Sequence, residues 1–470
     1  MTTRRVGEHL ANGSSDLTCR PIPTSRPQSG PPTTSGGPVQ GRQRILMLSW
    51  EYPPVLVGGL GRHVHALSIA LAAAGHDVTV ITRHSDDAPL EEYADGVRVI
   101  RAPEDPVTFP LATDSLLAWT MAFNHTLTRA ALRAHHTSTG YDVIHAHDWL
   151  VAHTAINLKE HLDIPLVTTI HATEAGRHQG WLPGDMNRSI HSMEWWLSHE
   201  SDRVITCSGY MRDQVNNLFN LPTTRIDVVP NGVETHRWQA SAAAVAAARQ
   251  RFAGEGPLVT FAGRLVYEKG VQHLIAGLPR LRREHPGLRL VIAGDGPYRG
   301  ELEADIDRLG VRAAVTLPGF LGGTDLPAMM AASDCFAVPS IYEPFGMVAL
   351  EGAAAGAPLA VAATGGLAEI VETGVTGMTF RPKDPDALAD AVHALLADSG
   401  RARELARRAR RMVADEYGWA SIAQRTGATY ANAIGQSATF TAEQATRRMA
   451  HGRPVLAIPA GNLLVGAGGR

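Results

Sequence analysis

The feature that most constrains this chain is an alternation of short, β-branched apolar runs with longer helical patterns. It begins at Arg44, breaks near Pro230 and begins again after Trp238. In the first stretch Arg44–Ser49, Val78–Thr82, Val143–Ala146, Leu166–Ile170, Val204–Thr206 and Ile226–Val229 read as buried strands, with a helix at Gly61–Ala74. In the second, strands are expected at Leu258–Ala262, Leu288–Ala293, Ala314–Leu317, Cys335–Val338 and Leu359–Val361, and helices at Val271–Glu284, Tyr298–Leu309 and Gly346–Ala355. Successive parallel strands joined by helices wind into an open sheet covered on both faces. Doing so twice predicts an α/β chain of two Rossmann-like domains facing a central cleft, divided near the turn signal Pro230-Asn231-Gly232.

The ends of the chain read differently. Residues 1–42 are rich in Ser, Thr, Pro, Gly and Arg without apolar periodicity, so they cannot bury enough surface to offset their ordering entropy and are expected to form a disordered leader. Residues 436–470 are again loose and read as a flexible tail. Charges nearly balance, 43 Lys+Arg against 46 Asp+Glu, which argues against a nucleic-acid partner held by a broad basic field. No unbroken apolar run approaches the roughly 18 residues of a membrane span. The three cysteines, Cys19, Cys207 and Cys335, are far apart and odd in number, so neither a disulfide framework nor a thiolate metal site is indicated and a reducing cytoplasm fits.

Ligands of open α/β sheets sit beyond the carboxyl ends of strands. After the first strand come Trp50-Glu51-Tyr52-Pro53-Pro54 and then Gly58-Gly59-Leu60-Gly61, which opens a helix and leaves backbone N–H groups at its positive end to cradle an anion. The spacing is neither the dinucleotide fingerprint nor a P-loop. Alone, these glycines read as well as a tight turn. In the second half, a strand runs into Gly263-Arg264-Leu265-Val266-Tyr267-Glu268-Lys269-Gly270, where a guanidinium fork and an ammonium suit the oxygens of a diphosphate. The plain alternative is a solvated turn with a Glu268 ion pair. Gly294-Asp295-Gly296 and Thr364-Gly365-Gly366 fall at the same rim.

The segment Pro339 to Glu351 is the most informative. Pro344 suits the first turn of a helix, which would place Glu343 at its entrance and leave the N–H groups of Phe345, Gly346, Met347 and Val348 facing outward. At about 100° per residue Glu351 then lies on nearly the same side as Glu343. The first carboxylate can accept hydrogen bonds from sugar hydroxyls while the N–H groups face phosphates, and the second can hold a ribose diol. Helix-end charge complementation and a solvated helical face are the alternatives for the two glutamates.

Taken together these motifs resemble the retaining glycosyltransferases of the GT-B fold, in the large family four group that includes actinobacterial α-glucan synthases. The paired glutamates, the GRLVYEKG turn and the opening VLVGGLGRHV carry the resemblance, and SWEYPP and HAHDWL (His145 to Leu150) are similar to glycogen-synthase-type enzymes. The likeness spans about Arg44 to Ile434. It implies an N-terminal acceptor domain at 43–235, a C-terminal nucleotide-sugar domain at 236–416, and a helix at 417–435 that crosses back to the first domain. It implies further that Arg264 and Lys269 hold the donor diphosphate, that Gly59 and Gly294 approach the donor, and that Glu343 lies by the sugar with Glu351 on the ribose. His171 would sit at the reacting face, and Glu51, Asp148 and Trp149 would shape the acceptor side. Closure of the two halves would assemble the site and exclude water.

One position departs from the pattern. Bacterial ADP-glucose glycogen synthases typically carry Lys in a Lys-x-Gly-Gly-Leu sequence, where this chain has Leu56, so UDP- and ADP-glucose both stay open as donors. The expected reaction moves glucose from such a donor, a co-substrate rather than a cofactor, to an α-1,4-glucan or related oligosaccharide. Arg264, Lys269 and the helix start near Phe345 would stabilise the leaving diphosphate without a metal. The Asp-x-Asp pairs Asp305/Asp307 and Asp384/Asp386 lie in a helical pattern and at a helix cap, and His145 and His147 share a strand face with no third ligand at suitable spacing. The basic run from Arg401 to Arg411 reads as a solvated helical face in preference to a membrane contact. Mannosyl or N-acetylglucosaminyl transfer to a lipid or small polyol, a sugar-nucleotide epimerase, and a non-catalytic nucleotide-sugar-binding protein are the alternatives. The last would tolerate loss of Glu343 and His171, both of which are present.

Overall fold

The computed structural model describes residues 41–85, 87–103 and 111–450. The N-terminal sheet contains β1 (Arg44–Leu48), β2 (Asp77–Arg83), β3 (Glu91–Ala94), β4 (Val97–Ala102), β5 (Val143–His147), β6 (Leu166–Ile170), β7 (Arg203–Thr206) and β8 (Ile226–Val228) in the order β3-β4-β2-β1-β5-β6-β7-β8. The C-terminal sheet contains β9 (Leu258–Ala262), β10 (Arg289–Ala293), β11 (Val315–Gly319), β12 (Cys335–Val338), β13 (Leu359–Ala362) and β14 (Met378–Phe380) in the order β11-β10-β9-β12-β13-β14. Every pairing is parallel except β3 with β4. The central strands β5, β6, β9, β12 and β13 are buried along their whole length, as strands covered by helices on both faces must be.

Each sheet reverses direction once, between β1 and β5 and between β9 and β12, because the chain leaves β1 and β9 in opposite directions across the sheet. Such switch points open a crevice beyond the strand ends. The loops that follow β1, β5, β9 and β12 hold Glu51 to Gly58, Asp148, Arg264 to Lys269 and Pro339 to Gly346, so the topology alone gathers most of the candidate residues.

Trp419–Ala450 is one long helix. Its Ile422, Ala423, Tyr430 and Ala433 are buried in the core beneath β1 and β2, while Thr429 donates to Asp227 at 3.0 Å and Arg425 donates to the Val228 carbonyl at 3.2 Å. The chain therefore returns from the second lobe and packs on the first. This helix continues to Ala450, so the tail expected from 436 is helical over its first part. The rest of that tail and residues 1–40 of the expected leader lie outside the described residues.

Candidate active site

Glu51 follows β1 and is turned inward. Its Oε2 accepts from the N–H groups of Val57 at 2.8 Å and Gly58 at 2.9 Å, which ties the glycine loop down at the start of the helix Gly59–Ala73. The Glu51 carboxylate is buried and committed to the loop, which it holds in place. Gly59 occupies the first helical position, where its amide lies at the positive helix end. One turn on, Arg62 reaches across the cleft to Glu351 at 3.9 Å with its side chain 63% exposed. A cation here escaped the sequence reading, which sought it at position 56. Leu56 is exposed and Arg62 supplies the nearest positive charge on this loop-helix unit.

In the second lobe, the turn after β9 is anchored to the segment after β12. The Glu268 carbonyl accepts from the amides of Ile341 at 2.8 Å and Tyr342 at 3.4 Å. This brings Lys269 Nζ to 2.6 Å from Glu343 Oε2, an atom that also accepts from the Ser340 hydroxyl at 3.1 Å. Lys269 thus pairs with Glu343 rather than with its neighbour Glu268. Arg264 is exposed and makes no ion pair among the described residues, so its guanidinium is available to a ligand. The Gly294 amide is spent on the Gly319 carbonyl at 2.8 Å. Gly294 lines the rim but does not donate its N–H to a ligand there.

The helix after β12 starts later than expected. Gly346 has φ 112°, a left-handed conformation that a side chain would strain, and Met347–Ala355 is the helix. Pro344 precedes it, and Glu343 stands on an irregular turn instead of one helix edge with Glu351. The turn is held from behind by Gly365, whose φ of 52° and close approach would put a side chain's Cβ only 1.9 Å from the Glu343 carbonyl oxygen. Among the described residues the amides of Phe345, Gly346, Met347 and Val348 make no hydrogen bond, as a helix start facing an anion requires. Phe345 itself is buried in the core. Burial pushes the Glu351 carboxyl up to about 7; the Arg62 and Lys269 cations pull it down, and Glu343 pushes it up. Glu343, Lys269, Glu351 and Arg62 are therefore one electrostatic cluster at the mouth of the cleft.

Opposite them, His171 follows β6. Its backbone N–H donates to Asp148 Oδ1 at 2.8 Å, and its Nε2 lies 3.1 Å from His147 Nδ1. Burial, reinforced by Arg177, lowers His171 to about 4, so the ring is neutral at neutral pH; burial raises Asp148 to about 6. His145 lies behind, between Tyr430 and Thr169 at 2.7 Å each, so the returning helix buttresses the histidine layer. His63, from the first lobe's helix, packs edge-on against His171 with ring centroids 4.8 Å apart. The rings of His63 and His171 meet from separate elements, a juxtaposition no spacing rule in the sequence could reveal.

Trp149 is buried beside Asp148 and lines a cavity of about 630 Å³ with Trp196, His153, Met121 and Met193. None of the donor-side candidates borders this cavity. Asp384 caps the helix Pro385–Ala397, and Asp305 and Asp307 pair with Arg308 and Arg312. On the helix Ser399–Glu416, Ala402, Leu405, Ala409 and Val413 face inward, leaving Arg407 and Arg408 outside, where they pair with Glu404. Among the described residues no helix is long and apolar enough to cross a membrane.

Comparison with known proteins agrees with this geometry. Residues 57–237 match the Glycosyltransferase Family 4 profile and residues 246–412 the Glycosyl transferases group 1 profile. Glycogen synthase of Mycobacterium tuberculosis is 47% identical over 397 residues, covering 82% of this chain and 94% of the relative. D-inositol 3-phosphate glycosyltransferase of Xylanimonas cellulosilytica is 33% identical over 410 residues, covering 83% and 97%. Among solved structures, sucrose-phosphate synthase of Thermosynechococcus elongatus superposes with a TM-score of 0.72 at 26% identity, covering 84% of this chain and all of that one. The chain belongs to the family 4, group 1 glycosyltransferases of the GT-B fold, and is a hexosyltransferase.

Proposed function

We propose that the protein is a retaining α-glucosyltransferase that moves glucose from UDP- or ADP-glucose to an α-1,4-glucan or related oligosaccharide. The observation that carries this reading is the cluster at the mouth of the cleft: Lys269 against Glu343, exposed Arg264, and the open amides of Phe345 to Val348 on one side, with neutral His171 on the other. Similarity to a glycogen synthase over most of the chain supports glucose and a glucan as the substrates. The two buried free cysteines, Cys207 and Cys335, suit a reducing cytoplasm, where such an enzyme would act.

Breaking the bond between the anomeric carbon and the diphosphate builds negative charge on the departing oxygen. Fixed donors aimed at that charge are the main electrostatic contribution to rate. Arg264, Lys269 and the open amides would hold the diphosphate, and Gly59 with its helix start would approach it from the other lobe. The Glu343 carboxylate, polarised by Lys269, would accept hydrogen bonds from the sugar hydroxyls, and Glu351 would hold the ribose. The acceptor hydroxyl then attacks from the face that the diphosphate leaves and passes its proton to the departing phosphate oxygen. His171, neutral and tied to His147, would position the reacting sugar without adding a competing charge.

Replacement of Glu343 by Gln tests the assignment. It removes the sugar-side carboxylate and leaves Arg264 and the backbone amides in place. Turnover is expected to fall by about 100-fold or more, with nucleotide affinity nearly unchanged. A collapse of nucleotide affinity at undiminished turnover would remove Glu343 from the sugar. Transfer to an inositol phosphate and not to a glucan would replace the acceptor reading with a small polyol one.

A further inference from the structure

We propose that His63, His147 and His171 form a binding site for a divalent transition metal, and that Zn²⁺ held there inhibits transfer. Each of the three offers a ring nitrogen, and these nitrogens lie within 4.8 Å of one another. The His147 to His171 separation of 3.1 Å is close to the roughly 3.3 Å between two ligands that each sit 2.0–2.1 Å from a tetrahedral zinc. His63 closes the triangle from a third element, its ring 4.8 Å from that of His171 and 5.7 Å from that of His147. Small side-chain rotations tighten the set, and three imidazoles leave a fourth position for water or a ligand.

The surroundings favour the ion as well. His63 Nδ1 is buried with no hydrogen-bond partner among the described residues, and Asn231 lies near the ring. Binding needs only a change of tautomer in the His147–His171 pair, so no net proton is released. His171 is partly exposed, which opens the triad to the cleft. A bound ion would lock His171 away from the reacting sugar; this inhibitory consequence rests on the glycosyltransferase reading of His171, whereas the metal site does not.

The test is titration of the chelator-treated full chain with Zn²⁺ alone, followed by calorimetry, with Co²⁺ absorption as a second reading. One equivalent is expected to bind, and His63→Gln or His147→Gln should each weaken it by about 100-fold or more, beyond the roughly 10–100-fold that loss of a supporting partner costs. His393→Gln, which disrupts the separate, partly exposed cluster Glu284, His285 and His393, should leave that equivalent in place. Should a histidine variant fail to fold, the Co²⁺ spectrum of the unaltered chain decides: an intense tetrahedral band supports the triad and a weak octahedral one overturns it. Absence of binding, persistence in both triad variants, or loss only in His393→Gln would also overturn the site. Binding without loss of transfer activity would overturn the inhibition alone, and absence of any transfer activity would count against the functional reading while leaving the metal site standing or falling on calorimetry.

Discussion

Replacement of Glu351 by Gln should make the protein more stable at alkaline pH and change little at acid pH. Burial raises the Glu351 carboxyl from its ordinary 4.5 to about 7, even with Arg62 and Lys269 pulling the other way. Between those values the native chain keeps a proton that the unfolded chain has released, so stability falls with rising pH. The contribution is complete below about 4.5 and gone above about 7. At about 1.36 kcal/mol per pH unit, the span amounts to about 3 kcal/mol. A lobe of this size melts about 2–4 °C higher per kcal/mol, so the gap in melting temperature between variant and parent should widen by roughly 6–12 °C from pH 4.5 to 8. Differential scanning calorimetry of both proteins across that range reads it directly. A gap that does not change with pH would show that Glu351 is ionised and well solvated in the folded protein, and the electrostatic account of the cleft mouth would fail.

Arg62→Ala removes an exposed partner of Glu351, so melting should move by less than about 1 kcal/mol, while KM for the sugar nucleotide rises several-fold as the first lobe loses its cation; an unchanged KM would show that Arg62 does not meet the donor. Treatment with EDTA should leave the initial rate undiminished if, as proposed, Arg264, Lys269 and the helix start stabilise the leaving charge. Loss of activity that added Mg²⁺ restores would contradict that.

The sequence reveals the two lobes because their central strands are short, mostly apolar runs buried on both faces, and the site's strand-end loops because glycine and charge cluster there. What it hides has physical causes. The strand Glu91–Ala94 lies at a sheet edge and is largely exposed, so it shows no apolar run, although Asp95-Gly96 beside it is a hairpin signal that could have found it. The late helix start at Met347 depends on a left-handed Gly346, whereas Pro344 suggests an earlier one. The hydrogen bonds of Glu51 to Val57 and Gly58 depend on how the loop folds back, which its place in the sequence does not reveal. Arg62 and His63 gain their meaning only from partners on other elements, Glu351 on the far lobe and the rings of His147 and His171.

The measurement that bears most directly on the central claim is incubation of the purified protein with UDP-glucose and ADP-glucose, each carrying labelled glucose, together with maltooligosaccharides. The account predicts label in lengthened α-1,4-linked chains with the donor's α configuration retained, from at least one of the two donors. Absence of label from the glucan with both donors, or a product of inverted configuration, would contradict it.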